Sequence, residues 1–388
     1  MKVPEMRQRK ASFAKRMSKS LPVLPASPLP PLYAAWMNEA LAGPISPERE
    51  ATCDHCAMLA DAGETVNGSA TFFNPQTKCC TYLPDLPNFL VGRALADKTA
   101  STGRATVAAR LRAGIAVTPF GLGVARKYSL LYAHSTNSFG HSQSLRCPHY
   151  LAEEGGNCGV WRHRNAICAT WFCKHERGAR GDQFWHALLQ LLAHVEQHLA
   201  HWCVLELDVG EAALRRLFQP LGKGGQSPLL NGDELDEKVN AEQYRALWGN
   251  WHGREEEFYQ QCAKLVEGLC WADVLAHCGP ETRAFLQLAR AAQAELLADS
   301  LPAKLTVGTM QLAAVKGNRF RAVTYSPYDP LDLSAQLLGA LGHFDGRPTA
   351  EARQRLAEQE QLALNDALLH RLVDFGILVS ADNMPEAV

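Results

Sequence analysis

The chain has 388 residues, of which 47% are hydrophobic and 20% charged, and its formal net charge is −1. These values are ordinary for a globular protein with a real core, and the length suggests two or three domains. A charge near zero argues against nucleic acid or an anionic membrane as the partner. No apolar run reaches the roughly 18 residues that span a bilayer. The basic N-terminus lacks the apolar stretch of a signal peptide, so we expect a soluble, cytoplasmic protein with no membrane partner.

By composition, the N-terminal half divides into a predicted arm and a cysteine-rich region. Residues 1–31 are basic and rich in proline, which disfavours a regular helix and predicts a flexible arm. Such an arm is either a disordered tail or a basic tether for a partner. Residues 32–181 contain many Gly, Pro and Asn residues, and their one clear helical pattern is near Arg104–Arg112. A segment of this kind buries little apolar surface, so we expect a domain folded around a metal.

Residues 182–303 are expected to form a helical section. Asp182 can cap a helix through FWHALLQLLAHVEQHLAHWCVLEL, in which apolar residues recur at helical spacing. The loop LGKGGQSPLLNGDE follows, then a second predicted helix over Glu234–Leu269 and a third over Pro280–Leu301.

Residues 304–388 change character again. Apolar and polar residues alternate on both sides of Lys316-Gly317-Asn318, which predicts a hairpin. Helical patterns and a short terminal strand follow, so we expect a small winged-helix-like α+β module. In its turn DGRPT, Gly346 can adopt a left-handed conformation and Thr349 can cap the next helix.

Cysteine is the most informative residue of this sequence. Twelve cysteines are a large number for a protein of a reducing compartment. Closely spaced cysteines in such proteins more often bind a metal or take part in catalysis than form disulfides. Eight are grouped in the first half, and thiolates are the usual ligands of iron–sulfur clusters and zinc. We predict these eight as metal ligands: Cys53, Cys56, Cys79, Cys80, Cys147, Cys158, Cys168 and Cys173.

The run RCPHYLAEEGGNCGVWRHRNAICATWF resembles the signature of the zinc- or iron-chelating cysteine-cluster (YkgJ-like) family. It offers Cys147, then Cys158 followed by Val160, Trp161 and Arg164, then Cys168 followed by two aromatic residues. Upstream, the family has a CxxC motif followed by a double cysteine, and this chain has Cys53 and Cys56 followed by Cys79-Cys80 in the same order. The resemblance covers residues 53–173 and implies metal binding.

Two features depart from that family pattern. In this chain 22 residues separate the CxxC from the double cysteine, where the family has only a few. Asn165 occupies the position of a common proline. The flagellin lysine methylase type of protein is similar in its cysteine layout, but nothing outside this region indicates methyl transfer.

Three interpretations of the cysteines remain open. We expect an iron–sulfur cluster, 4Fe–4S in type, because adjacent cysteines diverge too much to bind one tetrahedral zinc easily; zinc and a metal-free thiol role are the alternatives. Four histidines lie beside the cysteines and have either a ligand role or a surface or supporting role: His55, His149, His163 and His175. Between two cysteines, Arg162, His163 and Arg164 either bind an anion or stabilise the charge of a cluster, and we favour the second.

The other four cysteines lie in or near the helical section. Free cysteine is among the most buried residue types, so core packing is expected for this set: Cys203, Cys262, Cys270 and Cys278.

Residues 304–380 also resemble PqqD-like winged-helix modules that bind peptides. The resemblance rests on the hairpin, on LLGALGHFDGRPT with Phe344, Asp345 and Arg347, and on LLHRLVDFGIL. It implies a protein or peptide partner for this module. No basic face is evident in this module, so nucleic acid is not its expected partner. Elsewhere in the chain, Gly121-Leu122-Gly123 has neither a strand-GxGxxG-helix arrangement nor a Walker lysine, so a nucleotide site is not expected there.

The sequence thus predicts a mainly α-helical metal-binding protein with a cysteine-ligated iron–sulfur cluster in a redox or structural role. Two alternatives remain: an enzyme that modifies a protein or peptide at an open-site cluster, and a zinc-stapled interaction scaffold. The sequence leaves open whether the protein is an enzyme.

Overall fold

A computed structural model describes residues 28–41, 43–45, 47–48, 53, 56–59, 72–135, 137–218 and 238–383. The first 27 residues of the predicted arm and the whole predicted loop LGKGGQSPLLNGDE lie outside the described residues. No helix in the described ranges combines the length and apolar character needed to cross a membrane.

The described residues are mainly α-helical, as predicted. The helices are α1 (Pro31–Ala40), α2 (Asn88–Ala96), α3 (Ser101–Ala113), α4 (Arg126–His134), α5 (Ala166–Thr170), α6 (Gly178–Glu206), α7 (Glu211–Leu217), α8 (Ala241–Trp248), α9 (Glu255–Glu267), α10 (Trp271–Cys278), α11 (Glu281–Leu297), α12 (Ala335–Ala340), α13 (Thr349–Gln359) and α14 (Asp366–Asp374). The helix predicted near Arg104–Arg112 is confirmed as α3.

The strands form small antiparallel sheets. They are β1 (Leu86–Pro87), β2 (Val117–Thr118), β3 (Gly121–Leu122), β4 (Tyr150–Leu151), β5 (Asn157–Cys158), β6 (Lys304–Val307), β7 (Gln311–Val315), β8 (Arg319–Val323), β9 (Leu331–Ser334), β10 (Asp345–Pro348) and β11 (Leu378–Ser380). Their orders are β1-β3-β2, β4-β5, β7-β8-β9 and β10-β6-β11. The hairpin predicted at Lys316-Gly317-Asn318 is confirmed: Val315 pairs with Arg319 across the turn, and both Gly317 and Asn318 have positive φ.

Helix α6 is the axis of the molecule. Its apolar stripe, which includes Phe184, Leu188 and Leu199, is fully buried, and α2, α5, α9, α10 and α11 all pack against it. The helix begins at Gly178, four residues before the predicted cap at Asp182. The sequence did not predict this first turn because glycine is a poor helix former. The turn is close-packed, since a Cβ on Gly178 would lie 2.8 Å from the carbonyl oxygen of Asp374.

The second predicted helix is in fact two helices, so the prediction of one helix over Glu234–Leu269 was wrong. The chain turns at Gly249, whose φ is +48° and whose added Cβ would lie 2.0 Å from the Val209 carbonyl oxygen. The chain passes close to the backbone of Val209 at this turn, so α8 ends at Trp248 and α9 begins only at Glu255. The third predicted helix, α11, ends at Leu297 rather than Leu301.

Two clusters of buried apolar side chains form the cores. The first extends from Leu29 to Ala289 and joins the cysteine-rich region to α6, since Val160 and Ala166 belong to it. Leu29, at the end of the predicted arm, is buried there. The second cluster consists of residues between Leu305 and Leu378.

In the C-terminal part, Gly346 has the expected positive φ of 95°. The predicted cap at Thr349 was wrong. Thr349 is the first residue of α13, and its hydroxyl donates to the Pro302 carbonyl at 2.8 Å, so it anchors the helix to the preceding chain instead.

A partly buried ion pair joins the C-terminal part to α6. Arg177 donates to both carboxylate oxygens of Asp374, at 2.7 and 3.0 Å. Nearby, the His175 backbone N–H donates to Asp329 at 3.2 Å. These contacts fix the position of the C-terminal part beside the cysteine-rich region.

Candidate metal centre

Short turns and one short helix present the eight grouped cysteines. Cys79 and Cys80 lie in a turn before β1, Cys158 lies on β5, and Cys168 lies in α5. Backbone hydrogen bonds hold these segments together: the Cys147 N–H donates to the Cys80 carbonyl at 2.7 Å. The Asn165 side chain accepts the Cys168 N–H at 3.2 Å and so caps α5.

Six of the eight thiols line one cavity of about 360 Å³. They are Cys53, Cys79, Cys80, Cys147, Cys158 and Cys168.

The other two predicted ligands lie beside this cavity. Cys56 and Cys173 each interact electrostatically with Cys79, and Cys173 also interacts with Cys56. The fold therefore gathers all eight predicted cysteines into one group, although they come from separate parts of the sequence.

The thiols differ in their acidity. The Cys80 thiol donates a hydrogen bond that lowers the pKa of Cys79 to about 7, and the same bond raises the pKa of Cys80. Burial raises the pKa of Cys147 to about 11 and those of Cys158 and Cys173 to about 12. Buried thiols of this kind become thiolates when a cation binds them.

One buried cation, Arg164, lies among the thiols. It donates to the carbonyls of Trp161 and Cys168, each at 3.1 Å, and its guanidinium lies 3.4 Å from the centroid of the Trp161 ring. Burial lowers its pKa, whereas the nearby Cys158, Cys168, Cys53 and Cys79 raise it. Arginine stays charged in proteins, so Arg164 places a fixed positive charge beside four thiols.

A second buried cation, Lys78, ties together two loops of the centre. Its Nζ donates to the Cys53 carbonyl at 2.5 Å and to the carbonyls of Gly155 and Gly156 at 3.3 and 3.0 Å. The CxxC segment is thereby linked to the β4–β5 hairpin. No sequence pattern distinguishes Lys78, because a lysine before a cysteine pair is usually a surface residue.

The histidines beside the cysteines have other partners. His149 lines the cavity, but its ring nitrogens face Thr106 Oγ1 at 2.7 Å and Arg110 at 3.3 Å. His163 pairs with Asp97 at 2.9 Å. His175 is buried and packs against Phe172 and Tyr325, whereas His55 lies outside the described residues.

Three of the remaining cysteines are buried in the helical core, as expected: Cys203, Cys262 and Cys278. The prediction was wrong for Cys270, which is exposed. Cys270 caps α10 at the surface: its sulfur accepts the Asp273 N–H, and the Asp273 carboxylate accepts the Cys270 N–H at 3.0 Å.

Aromatic side chains form one wall of the cysteine cavity. Phe139, Trp171 and Tyr328 line it, and Phe139 packs edge-on against Trp171 at a centroid distance of 5.8 Å. Tyr328 comes from the C-terminal part and also packs edge-on against Phe73, at 5.5 Å. The C-terminal part thus helps to close the cavity.

A larger cavity of about 1110 Å³ adjoins the first. The linings of the two cavities have five residues in common: Tyr82, Pro84, Leu86, Asn165 and Ile167.

Two acids, the buried Glu196 and the more exposed Asp85, line the larger cavity. Glu196 accepts the Ala166 N–H at 2.6 Å and the Tyr33 hydroxyl, and burial raises the pKa of its carboxyl to about 8. Burial also raises the pKa of Asp85. Sequence reasoning missed Glu196, although a lone acid on the apolar stripe of α6 was a visible signal.

Comparison with known proteins gives this chain no relatives to argue from: no family model, no curated protein and no solved structure matches it.

Proposed function

We propose that this protein binds a cysteine-ligated iron–sulfur cluster, 4Fe–4S in type, in a redox or structural role. The observation that carries the proposal is the convergence of six thiols from separate loops on one cavity, with two further thiols close enough to interact electrostatically with Cys79. The cysteine-rich region would then be stapled by its cluster, in line with its resemblance to the YkgJ-like family.

The spacing of the sulfur atoms favours a cluster over a single zinc ion. Four thiolates on one tetrahedral zinc lie about 3.8 Å apart, given Zn–S bonds of about 2.3 Å. In the described part of the chain, no three cysteine sulfurs lie within 4.8 Å of one another. Thiolates of a cluster bind different irons and are therefore more widely separated.

The size and charge of the site also suit a cluster. One water takes up about 30 Å³ of liquid, and the cysteine cavity of about 360 Å³ has room for a polynuclear group. Thiolate-ligated clusters are anionic, and Arg164 and Lys78 supply buried positive charge. Apolar and aromatic side chains around the thiols exclude water.

A bound cluster supplies one-electron transfer, or simply cross-links the loops. The residues of the chain bind and position the cluster. The cysteines provide the thiolates, Arg164 offsets their charge, and Lys78 holds the CxxC segment in place. Four thiols suffice for one 4Fe–4S cluster, so the eight provide either a second site or spare thiols.

The first experiment is iron, sulfide and zinc analysis, with an absorption spectrum, on the full chain purified without air. We expect iron with matching acid-labile sulfide and a broad band near about 400 nm. Cys158→Ser or Cys168→Ser should lose the metal, whereas Cys262→Ser and Cys278→Ser should retain it. Zinc without a visible band would establish the zinc-stapled scaffold instead, and metal-free protein with full solubility would contradict any metal role.

The adjoining larger cavity supports a second function, that of an enzyme acting on a protein or peptide. A substrate group in that cavity would lie beside the thiols, because the two cavities share lining residues. The resemblance to PqqD-like modules suggests that a winged-helix-like C-terminal module docks the substrate. Strand β7 is the edge of its sheet and most of its residues are exposed, so a peptide strand could pair with it.

Redox titration distinguishes the two functions. An electron-transfer protein shows a reversible couple without any substrate. An enzyme with an open iron site shows a changed electron paramagnetic resonance spectrum when a small ligand is added. A closed, four-thiolate cluster would give no such change and would contradict the open-site enzyme.

A further inference from the structure

Two histidines and a glutamate converge away from the cysteines. His194 and His198 lie four residues apart on one face of α6, and Glu281 is the first residue of α11. One ligand atom from each lies within 4.8 Å of the other two, and these residues are the one such His, Cys, Asp and Glu group among the described residues. Helices α6 and α11 pack together, so the group is held by two neighbouring helices.

The hydrogen bond of His198 determines which ring nitrogen is free. Its Nδ1 lies 2.9 Å from the backbone carbonyl of His194, and a carbonyl can only accept. His198 is therefore protonated at Nδ1, which leaves the Nε2 lone pair available. A ligating histidine commonly donates its other N–H in this way.

The opposite nitrogen is free in His194. Its Nε2 lies 3.1 Å from Thr282 Oγ1, and the Thr282 hydroxyl donates its single hydrogen to the Cys278 carbonyl at 3.0 Å. The hydroxyl can then only accept from His194, so His194 is protonated at Nε2 and its Nδ1 lone pair is available. Thr282 is fully buried, which keeps this arrangement in place.

We propose that His194 Nδ1, His198 Nε2 and the Glu281 carboxylate bind one divalent transition-metal ion of the zinc type. Two imidazoles and a carboxylate suit zinc, and water would complete the coordination. Glu281 is exposed, so its side chain is free to rotate towards the ion. The site contains no thiolate, which separates it chemically from the cysteine centre.

The position of the site suggests what the ion does. It would cross-link α6 to α11, two helices that both contribute to the main core. His194 also lines the larger cavity, so the ion would lie at the edge of the space that adjoins the cysteines.

The test is a titration of the purified full chain with Co²⁺ and Zn²⁺, after a mild chelator has removed loosely bound metal. We expect one equivalent to bind, with the weak visible bands of cobalt in a nitrogen and oxygen environment and no intense sulfur-to-cobalt band. Zn²⁺ should displace the cobalt. Iron and sulfide are measured alongside and should not change.

Three variants and one control localise the site. His194→Ala, His198→Ala and Glu281→Gln should each weaken binding by roughly tenfold or more. Glu281→Gln alters a surface residue and so tests the site even if a histidine variant folds poorly. His186→Ala is the control, because His186 lies on the same helix near an i−4 carbonyl at 3.0 Å but outside the group. Unchanged binding in Glu281→Gln and His198→Ala would overturn the proposal, as would cobalt that binds only with an intense sulfur-to-cobalt band.

Discussion

At the scale of single residues, two buried side chains, Arg164 and Glu196, are charged or ionisable. Arg164 is 7% exposed and carries a fixed charge beside the thiols. Glu196 is equally buried and accepts hydrogen bonds from the Tyr33 hydroxyl and from the N–H of Ala166, the first residue of α5. Burying either group is costly unless its polar atoms are all paired, so each is sensitive to truncation.

Arg164→Met should lower both metal content and reduction potential. The change removes a positive charge that would stabilise the more negative, reduced form of the proposed cluster, and the expected drop in its potential is on the order of tens of mV. It also leaves the carbonyls of Trp161 and Cys168 without the guanidinium that donates to them, at a cost of about 1–3 kcal/mol in the free energy of unfolding. Arg162→Met is the control, since Arg162 is exposed. Equal potentials and iron contents in the two variants would show that Arg164 does not act on the centre.

Glu196→Gln and Glu196→Ala should differ sharply in stability. Both hydrogen bonds reach the same oxygen, Oε1, and a glutamine amide oxygen can accept both. The alanine variant leaves two buried donors unpaired and should lose about 2–4 kcal/mol of unfolding free energy. Urea unfolding in anaerobic buffer measures the difference, and equal losses in both variants would rule out this role for the oxygen.

At the scale of secondary structure, helix α5 is short and depends on its cap. It has five residues, carries Cys168 and begins after Asn165, whose side chain accepts the Cys168 N–H and donates to the Asp85 carbonyl at 3.0 Å. The proline common in the YkgJ-like family at this position could not make these bonds. Here the cap itself positions a candidate ligand.

Asn165→Ala should therefore destabilise the protein by about 1–2 kcal/mol and reduce its metal content. Asn240→Ala provides a matched control, because Asn240 caps α8 in the same way, by accepting the Gln243 N–H at 3.1 Å. The control should lose similar stability but no metal. If both variants retain full iron, α5 does not need its cap to bind the cluster.

At the scale of the whole molecule, the C-terminal part is joined to the rest by polar and aromatic contacts. Arg177 and Arg180 both pair with Asp374, which is 8% exposed. Tyr328 reaches from the same part into the wall of the cysteine cavity. The C-terminal part thus both docks on α6 and covers the candidate centre.

Asp374→Ala should loosen this docking. The change leaves two arginines without their acid and should cost about 2–3 kcal/mol, since the pair is only partly exposed. Calorimetry should show the C-terminal part unfolding at a lower temperature. Asp366→Ala, which breaks the exposed pair with Arg353, should change stability by about 1 kcal/mol or less. A single unshifted transition in Asp374→Ala would contradict the role of the pair.

Tyr328→Ala should leave the proposed cluster bound but open it to solvent. The side chain fills space between Phe73, Phe139 and the thiols, so its removal lets oxygen and water reach the centre. The visible absorption should then decay several times faster in air, with unchanged initial iron. Decay at the rate of the unmodified protein would mean that the wall does not protect the centre.

The sequence by itself determined the features that depend on local chemistry. Apolar residues at helical spacing predicted α3, α6 and α11, and the alternating residues around Lys316-Gly317-Asn318 predicted the hairpin. The grouping of thiols predicted eight candidate ligands. These patterns act over a few residues, so they can be recognised without knowledge of the fold.

Only the tertiary structure decided which distant residues meet. In the folded chain, the segment predicted as the second helix turns at Gly249 and forms two helices. Cys270 lies at the surface, whereas Glu196 and Lys78 are buried. The fold gathered the eight cysteines into one group and brought Glu281 to the two histidines of α6. The physical reason is that such contacts depend on how helices pack against one another, and packing is set by the whole core rather than by any local sequence pattern.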